Sequence, residues 1–551
     1  MEYDVIIVGA GSAGCPLAAR LSENPQCSVL LLDAGPHYER IDEFPDVLQQ
    51  GGSMASSFPG HPNNWSFKAN LTPELPYSVP RGKVVGGSSA LNGTVFIRGV
   101  PQDFDGWAEL GNDAWTYDKV LPYFKKLEAD QDIQDQAIQN DFHGADGPIP
   151  VRRPKPGEWN AIQQAFVQAC LDAGHPEDPD MNHPDSIGVG SLPLNNIDGI
   201  RMNTAVTYLT PNLHRSNLHV WGESHVRRVV FEGRRAVGVE VDRRGERQVV
   251  HGGEIILSAG AVKSPHLLLL SGIGPADELR QYDIPVLHDS PYVGKDFTDH
   301  PAVMIMYKTR KTPHTYPGMP MLQTGLHYTA EGSTTRGDME ILPFCFSMTD
   351  SFVTASRKDG AQLPGLPSFL RHPFKTLAAM RGISVKRLFE QVRRGRDLMI
   401  GSSLQEARSK GEMRLVSADP YVQPELHYHY LSDPLDRQRM REGVRLVIDL
   451  MDSRVFKPLV SERTVPNDAQ LATDQALDHW MYTTLGTAIH MSGSCKMGPD
   501  ADLTAVVDQF GRVRGVDGLR VADTSIQPNV VRRPANATAI MLGERMAEWI
   551  G

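Results

Sequence analysis

The stretch Val5-Ile6-Ile7-Val8-Gly9-Ala10-Gly11-Ser12-Ala13-Gly14 decides the fold. Its β-branched run reads as a short buried strand, and the glycines that follow read as a turn that opens a helix. Each glycine of the Gly-x-Gly-x-x-Gly pattern has a separate task. The first permits the tight turn, the second lets a pyrophosphate approach the backbone, and the third lets helix and strand pack closely. The helix start offers free N–H groups and a positive dipole end to phosphates. Residues 13–22 have helical character, and Ser28 to Leu32 reads as a second buried strand ending at Asp33. An acid at that distance accepts from ribose hydroxyls. The βαβ unit implies a parallel sheet. The turn serves FAD and NAD alike, so it leaves the chemistry open.

The rest of the chain narrows the class. Its 551 residues carry a net charge of -11, which argues against nucleic acid as a partner. Cys15, Cys27, Cys170, Cys345 and Cys495 are odd in number and scattered, which suits reduced thiols better than a disulfide framework. No metal site is expected. The N-terminus shows no signal-peptide pattern, and no stretch reaches the roughly 20 apolar residues of a membrane span, so the expected location is cytoplasmic. Residues 36–100 are rich in Gly, Pro, Asn and Ser and read as long functional loops. Residues 217–257 alternate apolar and polar, as in a β-meander that returns to the sheet. Residues 311–480 differ in texture and read as a second domain.

Two further segments are glycine-rich. Gly82-Lys83-Val84-Val85-Gly86-Gly87-Ser88-Ser89-Ala90-Leu91-Asn92-Gly93-Thr94 can lie flat against a large planar ligand. Gly260-Ala261-Val262-Lys263-Ser264-Pro265-His266-Leu267 reads as a turn followed by an apolar helix. Both resemble the two signature sequences of the glucose–methanol–choline (GMC) family of FAD-dependent oxidoreductases, in its bacterial alcohol and choline dehydrogenase-like branch. That resemblance implies an α/β fold, with a Rossmann-like FAD-binding domain assembled from residues 1–158, 201–310 and 484–551. An inserted α+β substrate-binding domain would take 159–200 and 311–483. It also implies cofactor contacts: Gly9, Gly11 and Gly14 at the pyrophosphate, Asp33 at the adenosine ribose, and Val226 at adenine. Gly86, Gly87, Asn92 and Gly93 would lie near the flavin, Asp523 near the ribityl and pyrophosphate groups, and Thr538 among the cofactor contacts. Members that attach FAD covalently do so through a His just before the Asn of the first signature. Leu91 stands there, so non-covalent FAD is expected.

Alcohol oxidation needs a base for the hydroxyl proton and a group that holds the developing alkoxide. Ile489-His490-Met491-Ser492-Gly493-Ser494-Cys495 resembles the family's catalytic-histidine stretch, and His490 takes the position of the base. In Pro534-Ala535-Asn536-Ala537-Thr538, Asn536 takes the position of the second catalytic residue, ahead of an apolar helix whose dipole favours negative charge at the flavin. Ala488 and Ile489 are modest in size, which suggests a roomy, apolar substrate pocket. Cys495 has no activating partner and reads as a buried thiol. Asp299-His300 has the look of a dyad, but its expected role is structural. Neither an aromatic cage nor a positioned carboxylate for a quaternary ammonium is evident.

Residues 371–396 hold eight Arg or Lys and one acid, Glu390. They read as a solvated lid over the substrate site in preference to a membrane-surface helix, because Gly382 and Gly395 interrupt them. The expected activity is FAD-dependent oxidation of an alcohol, primary by expectation, to its carbonyl, with oxygen or a quinone-like acceptor taking the electrons. An oxygen-using alcohol oxidase, or a lyase or photoenzyme on the same scaffold, are the alternatives.

Overall fold

The computed structural model describes residues 2–133, 140–316, 318–347, 349–350, 354–356, 360–362 and 394–551. The basic stretch 371–396 therefore lies outside the described residues, apart from its last three.

The chain begins with strand β1 (Glu2–Val8), helix α1 (Gly14–Leu21) and strand β2 (Val29–Leu32). Val5 to Val8 pair in parallel with Val29 to Leu32. All four residues of β2 are fully buried, as a strand covered on both faces requires. The parallel order continues outward from β2 to Leu218–Trp221, and from β1 to Glu246–Leu257 and then Leu519–Val521. Ser224–Glu232 and Arg235–Arg243 form the antiparallel meander that leads back into Glu246–Leu257. The C-terminal helix Asn536–Ile550 packs on α1. Gly543 sits at their crossing, where a Cβ would lie 2.3 Å from the Ala13 carbonyl oxygen. Arg20 donates to Glu544 at 2.8 and 2.9 Å and Tyr208 donates to the same carboxylate at 2.6 Å, which fixes the two helices against each other.

A second sheet is antiparallel, in the order Val460–Val465, Pro301–Thr309, Leu398–Leu404, Met339–Pro343, Thr324–Tyr328, Gly188–Ser191. Helices Ala161–Asp172 and Pro434–Asp452 pack against it. Pro301–Thr309 thus belongs by hydrogen bonding to the second sheet, whereas the sequence reading left residues 301–310 with the first domain. Its apolar texture looks like either sheet; only its pairing with Leu398–Leu404 separates them. Gly486–Thr487 also pairs with this strand. The strand runs straight on from Asp299-His300, so one continuous segment joins the second sheet to the first domain.

A buried ion network staples the loops beside the first domain. Arg153 donates to Asp130 at 2.8 Å, Asp132 at 3.1 Å and Asp180 at 2.7 Å, while Arg98 meets Glu128. Burial alone would lower the His143 pKa, but bonds to Asp130, Asp180 and Glu128 outweigh it and push it up to about 10. Glu128, Asp130 and His143 have the spacing of metal ligands. The two guanidinium groups and the protonated imidazole already supply the positive charge there.

The glycines give a paired test of the turn. A Cβ on Gly14 would lie 1.9 Å from the Gly9 carbonyl oxygen, whereas one on Gly106, within the helix Pro101–Glu109, meets nothing within 4 Å. Gly14→Ala is expected to lower the thermal midpoint by several degrees and to cut FAD content. Gly106→Ala should leave FAD content alone and stabilise by about 0.5–1 kcal/mol. Differential scanning fluorimetry with flavin absorbance reads both.

Candidate active site

The loops after the parallel strands meet in one cavity of about 900 Å³, which runs from the dinucleotide turn to the second sheet. Gly9, Gly11, Asp33, Gly87, Leu91, Asn92, Gly93 and Val226 line it, as do Asp523, Ala488, Ile489, His490 and Asn536. Gly9 (φ +106°) and Gly86 (φ +104°) adopt the left-handed conformations their residue type permits. Gly11 differs from its neighbours in the turn. A Cβ there would have only Gly87 Cα, at 3.8 Å, nearby, so the backbone at Gly11 faces open space. Gly87 in turn approaches Gly11 so closely that its own Cβ would lie 2.6 Å from Gly11 Cα. Two glycine loops thus pack against each other on the cavity wall, and the absence of bulk at Gly11 leaves its backbone open to a pyrophosphate.

The carboxylates at this end are fixed by the backbone. Asp33 accepts from Ala10 N at 3.0 Å and Gly35 N at 2.8 Å; burial still pushes its pKa up to about 6. Asp523 accepts from Gly260 N, Ser264 Oγ and Ser525 N, and so ties the second glycine-rich segment to the C-terminal one. Arg201, which the sequence reading missed, is fully buried and donates to the carbonyls of Leu48, Ser53, Ala90 and Asn92. It braces the Leu91-Asn92 segment from behind. Nothing local marks it, because its acceptors are all backbone groups distant in sequence.

The first turn of the C-terminal helix carries two orphan polar atoms. Asn536 accepts from Ser12 Oγ at 2.8 Å through its Oδ1, while its Nδ2 is buried without a partner, as is Thr538 Oγ1. Ser12 therefore fixes the carboxamide's orientation. A cofactor with polar edge atoms satisfies these orphans at the helix N-terminus, so the residues present fit FAD.

The histidine site is built by backbone strain and a carboxylate. Ile489 has φ +70°, an unusual angle for a β-branched residue, and it re-aims the chain just before His490. Asp299 Oδ1 accepts from His490 N at 2.6 Å and from His300 N at 2.7 Å. Asp299 and His300 are thus not a dyad; the carboxylate grips backbone and sets the two imidazoles side by side. Their Nδ1 atoms lie 3.0 Å apart, and His300 Nε2 lies 3.0 Å from the Val531 carbonyl oxygen. A carbonyl only accepts, so His300 carries its proton on Nε2. Its bare Nδ1 then accepts from His490 Nδ1–H, which leaves His490 Nε2 unprotonated. Burial, followed by His300 and Arg81, holds the His490 pKa well below the usual imidazole value, and burial likewise lowers His300. The ring partner of His490 is therefore His300. Asn536 lines the same cavity as His490 and places its Oδ1 on Ser12 of the dinucleotide turn. Cys495 is buried and its thiol pKa is raised well above the usual value, which makes it inert.

A dinucleotide fold whose cavity joins three glycine-rich loops to a buried neutral imidazole has the build of a flavin-dependent oxidoreductase. Comparison with known proteins agrees. Family models described as GMC oxidoreductase match residues 3–302 and 407–543. The chain belongs to the GMC oxidoreductase family, whose members bind FAD and act on CH–OH donors. It is 37% identical to an uncharacterised GMC-type oxidoreductase of Rhodococcus erythropolis, over 98% of this chain and 97% of that one. It is 35% identical to oxygen-dependent choline dehydrogenase 1 of Chromohalobacter salexigens, over 100% of this chain and 95% of the relative. The crystal structure of pyridoxine 4-oxidase from Mesorbium loti superposes with a TM-score of 0.84 at 27% identity, covering 99% of both chains. Among the described residues no helix is long and apolar enough to cross a membrane.

The depressed His490 pKa has a measurable sign. A base whose pKa is lowered stays neutral, hence active, until the pH falls below that value. kcat/KM is expected to be level around neutrality and to fall only on the acid side of about 6.5, the ordinary imidazole pKa. A steady-state pH profile with a dye acceptor checks this; an acid limb centred above 7 contradicts the assignment.

Proposed function

We propose that the protein oxidises a primary alcohol to its aldehyde, with His490 as the base and FAD held non-covalently. The observation that carries this reading is the hydrogen-bond chain from the Val531 carbonyl through His300, which leaves His490 Nε2 bare on the cavity wall. Bound FAD supplies the hydride acceptor. His490 takes the hydroxyl proton at Nε2 as hydride leaves the carbinol carbon, and His300 and Asp299 keep the ring in place while its charge appears. The substrate lies between the cofactor loops and the second sheet. Ala488 and Ile489 flank its entry and leave room for a bulky apolar body. Asn536, oriented by Ser12 and with its Nδ2 left to donate, is the second catalytic residue and holds the developing alkoxide. Gly9 and Gly11 receive the pyrophosphate with Gly14 packed behind them, Gly86, Gly87, Asn92 and Gly93 lie at the flavin, and Asp33, Val226, Asp523 and Thr538 serve the remainder of the cofactor. Oxygen or a quinone-like acceptor then removes the electrons.

Leu91 lines the cavity at the position where a histidine would be needed for a covalent link, and leucine has no atom that can form one. Denaturing precipitation should therefore release all flavin into the supernatant. Anaerobic mixing with a series of primary alcohols should bleach the flavin. His490→Gln should slow that bleaching by about 10²–10⁴-fold with FAD content unchanged. Bleaching that occurs only under light, or not at all, would replace this reading with a photoenzyme or lyase.

A further inference from the structure

Three carboxylates line the cavity among the described residues: Asp33, Asp523 and Glu340. The first two belong to the cofactor end. Glu340 stands on the strand Met339–Pro343 of the second sheet, on the side left to the substrate. The wall around it is apolar, built from Met304, Met321, Leu342, Phe344 and Met399. A carboxylate on such a wall is costly unless it is bonded. Glu340 is 3% exposed, and its known partners all donate: His327 Nε2 to Oε1 at 3.0 Å, and Ser403 Oγ and Gln405 Nε2 to Oε2, each at 3.2 Å. A group surrounded only by donors is held as the anion, which accepts and never donates. Burial pushes its pKa up, but the His327 bond and the charge of Arg533 act against this, and it is held below the usual range.

Its place relative to the chemistry is fixed by two observations. Glu340 and His490 line the same cavity, and Glu340 pairs with Ser403, which in turn pairs with Ala302, two residues after His300, the ring partner of His490. With three donors at up to four lone-pair sites, the carboxylate retains acceptor capacity, and Ser403 beside it also lines the cavity.

We infer that Glu340 determines specificity by accepting a hydrogen bond from a second donor group of the substrate, a hydroxyl or a protonated amine, carried away from the carbon that is oxidised. The inference rests on the alcohol-oxidation reading above. The substrate class is an alcohol with an apolar body and one remote donor. The methionine and leucine wall takes the body, and Glu340 with Ser403 takes the donor. An alcohol without that donor leaves the buried anion with one bond fewer than it can make, and the site discriminates against it.

The test uses the FAD-loaded protein. Straight-chain diols and amino alcohols of increasing length are compared with n-alkanols of matching length, by steady-state kinetics with a dye acceptor. One chain length of the diols, the amino alcohols, or both should exceed its n-alkanol by about tenfold or more in kcat/KM, the scale of a hydrogen bond to a charged acceptor. Which series wins tells hydroxyl from ammonium. Glu340→Gln should raise KM for the favoured donor-bearing alcohol by about tenfold, leave its kcat within about twofold, and leave the n-alkanol unchanged. Should Glu340→Gln fail to fold, the wild-type ranking still decides. Equal rates for donor-bearing alcohols and n-alkanols overturn the inference, as does an equal KM rise for both classes in the variant. So does equal sensitivity of a quaternary-ammonium alcohol, which brings charge without an N–H. Flavin bleached by no alcohol at all overturns the parent reading instead, and n-alkanol turnover distinguishes the two failures.

Discussion

Gly11 and Gly87 come from loops more than seventy residues apart, yet a single methyl group on Gly87 would force them apart. This close approach is the constraint on which the cavity depends. It fixes the first glycine-rich segment against the dinucleotide turn at the pyrophosphate end. Gly86 N donates to Ala10 O at 2.7 Å across the same seam. Arg201 and Asp523 then lock the flanking segments from behind, Arg201 by donating to backbone carbonyls and Asp523 by accepting from two backbone N–H groups and the Ser264 hydroxyl. A cofactor site built this way is a scaffold of main chain, and its shape follows from where bulk is absent.

The chemistry is built on the opposite logic, where every ring nitrogen is accounted for. Burying imidazoles is costly if a nitrogen is left unbonded. Here Val531 satisfies one nitrogen of His300, and His490 satisfies the other. The remaining nitrogen of His490 faces the cavity as the one position left to a substrate. Asp299 contributes without touching either ring, because its two backbone bonds set the separation between them. The strand that follows it, Pro301–Thr309, anchors this pair in the second sheet, so the imidazole pair and that side of the cavity wall are mechanically continuous.

Much of the cofactor end was legible in the sequence, because its signals are local. Gly9, Gly11 and Gly14 act within six residues of one another, and the two glycine-rich segments declare themselves by the absence of bulk. His490 was legible through its resemblance to a family stretch. Its partner was not. The contact with His300 spans 190 residues and is set by the positive φ of Ile489, which no composition or periodicity encodes. Asn536 was found as a site residue, but its neighbour Ser12 lies 524 positions away, so the direction of its carboxamide could not be read. Glu340 carries no local mark in the sequence, since only the sheet order shows which face of Met339–Pro343 meets the cavity. The limit of Pro301–Thr309 was misread for the same reason, because pairing is a property of two strands.

The Val531 carbonyl has a consequence of a different kind. It belongs to the main chain, so no replacement of Val531's side chain deletes it, and any of the twenty amino acids supplies the same acceptor at that point. The direction in which His490 presents its lone pair is therefore sheltered from point mutation at its origin. The wall facing it enjoys no such shelter, since Glu340, Met304, Leu342 and Phe344 are all side chains on a sheet. Drift or laboratory selection can accordingly rewrite which alcohol enters while the proton's path stays as it is. The fold separates what is inherited through backbone from what is free to vary.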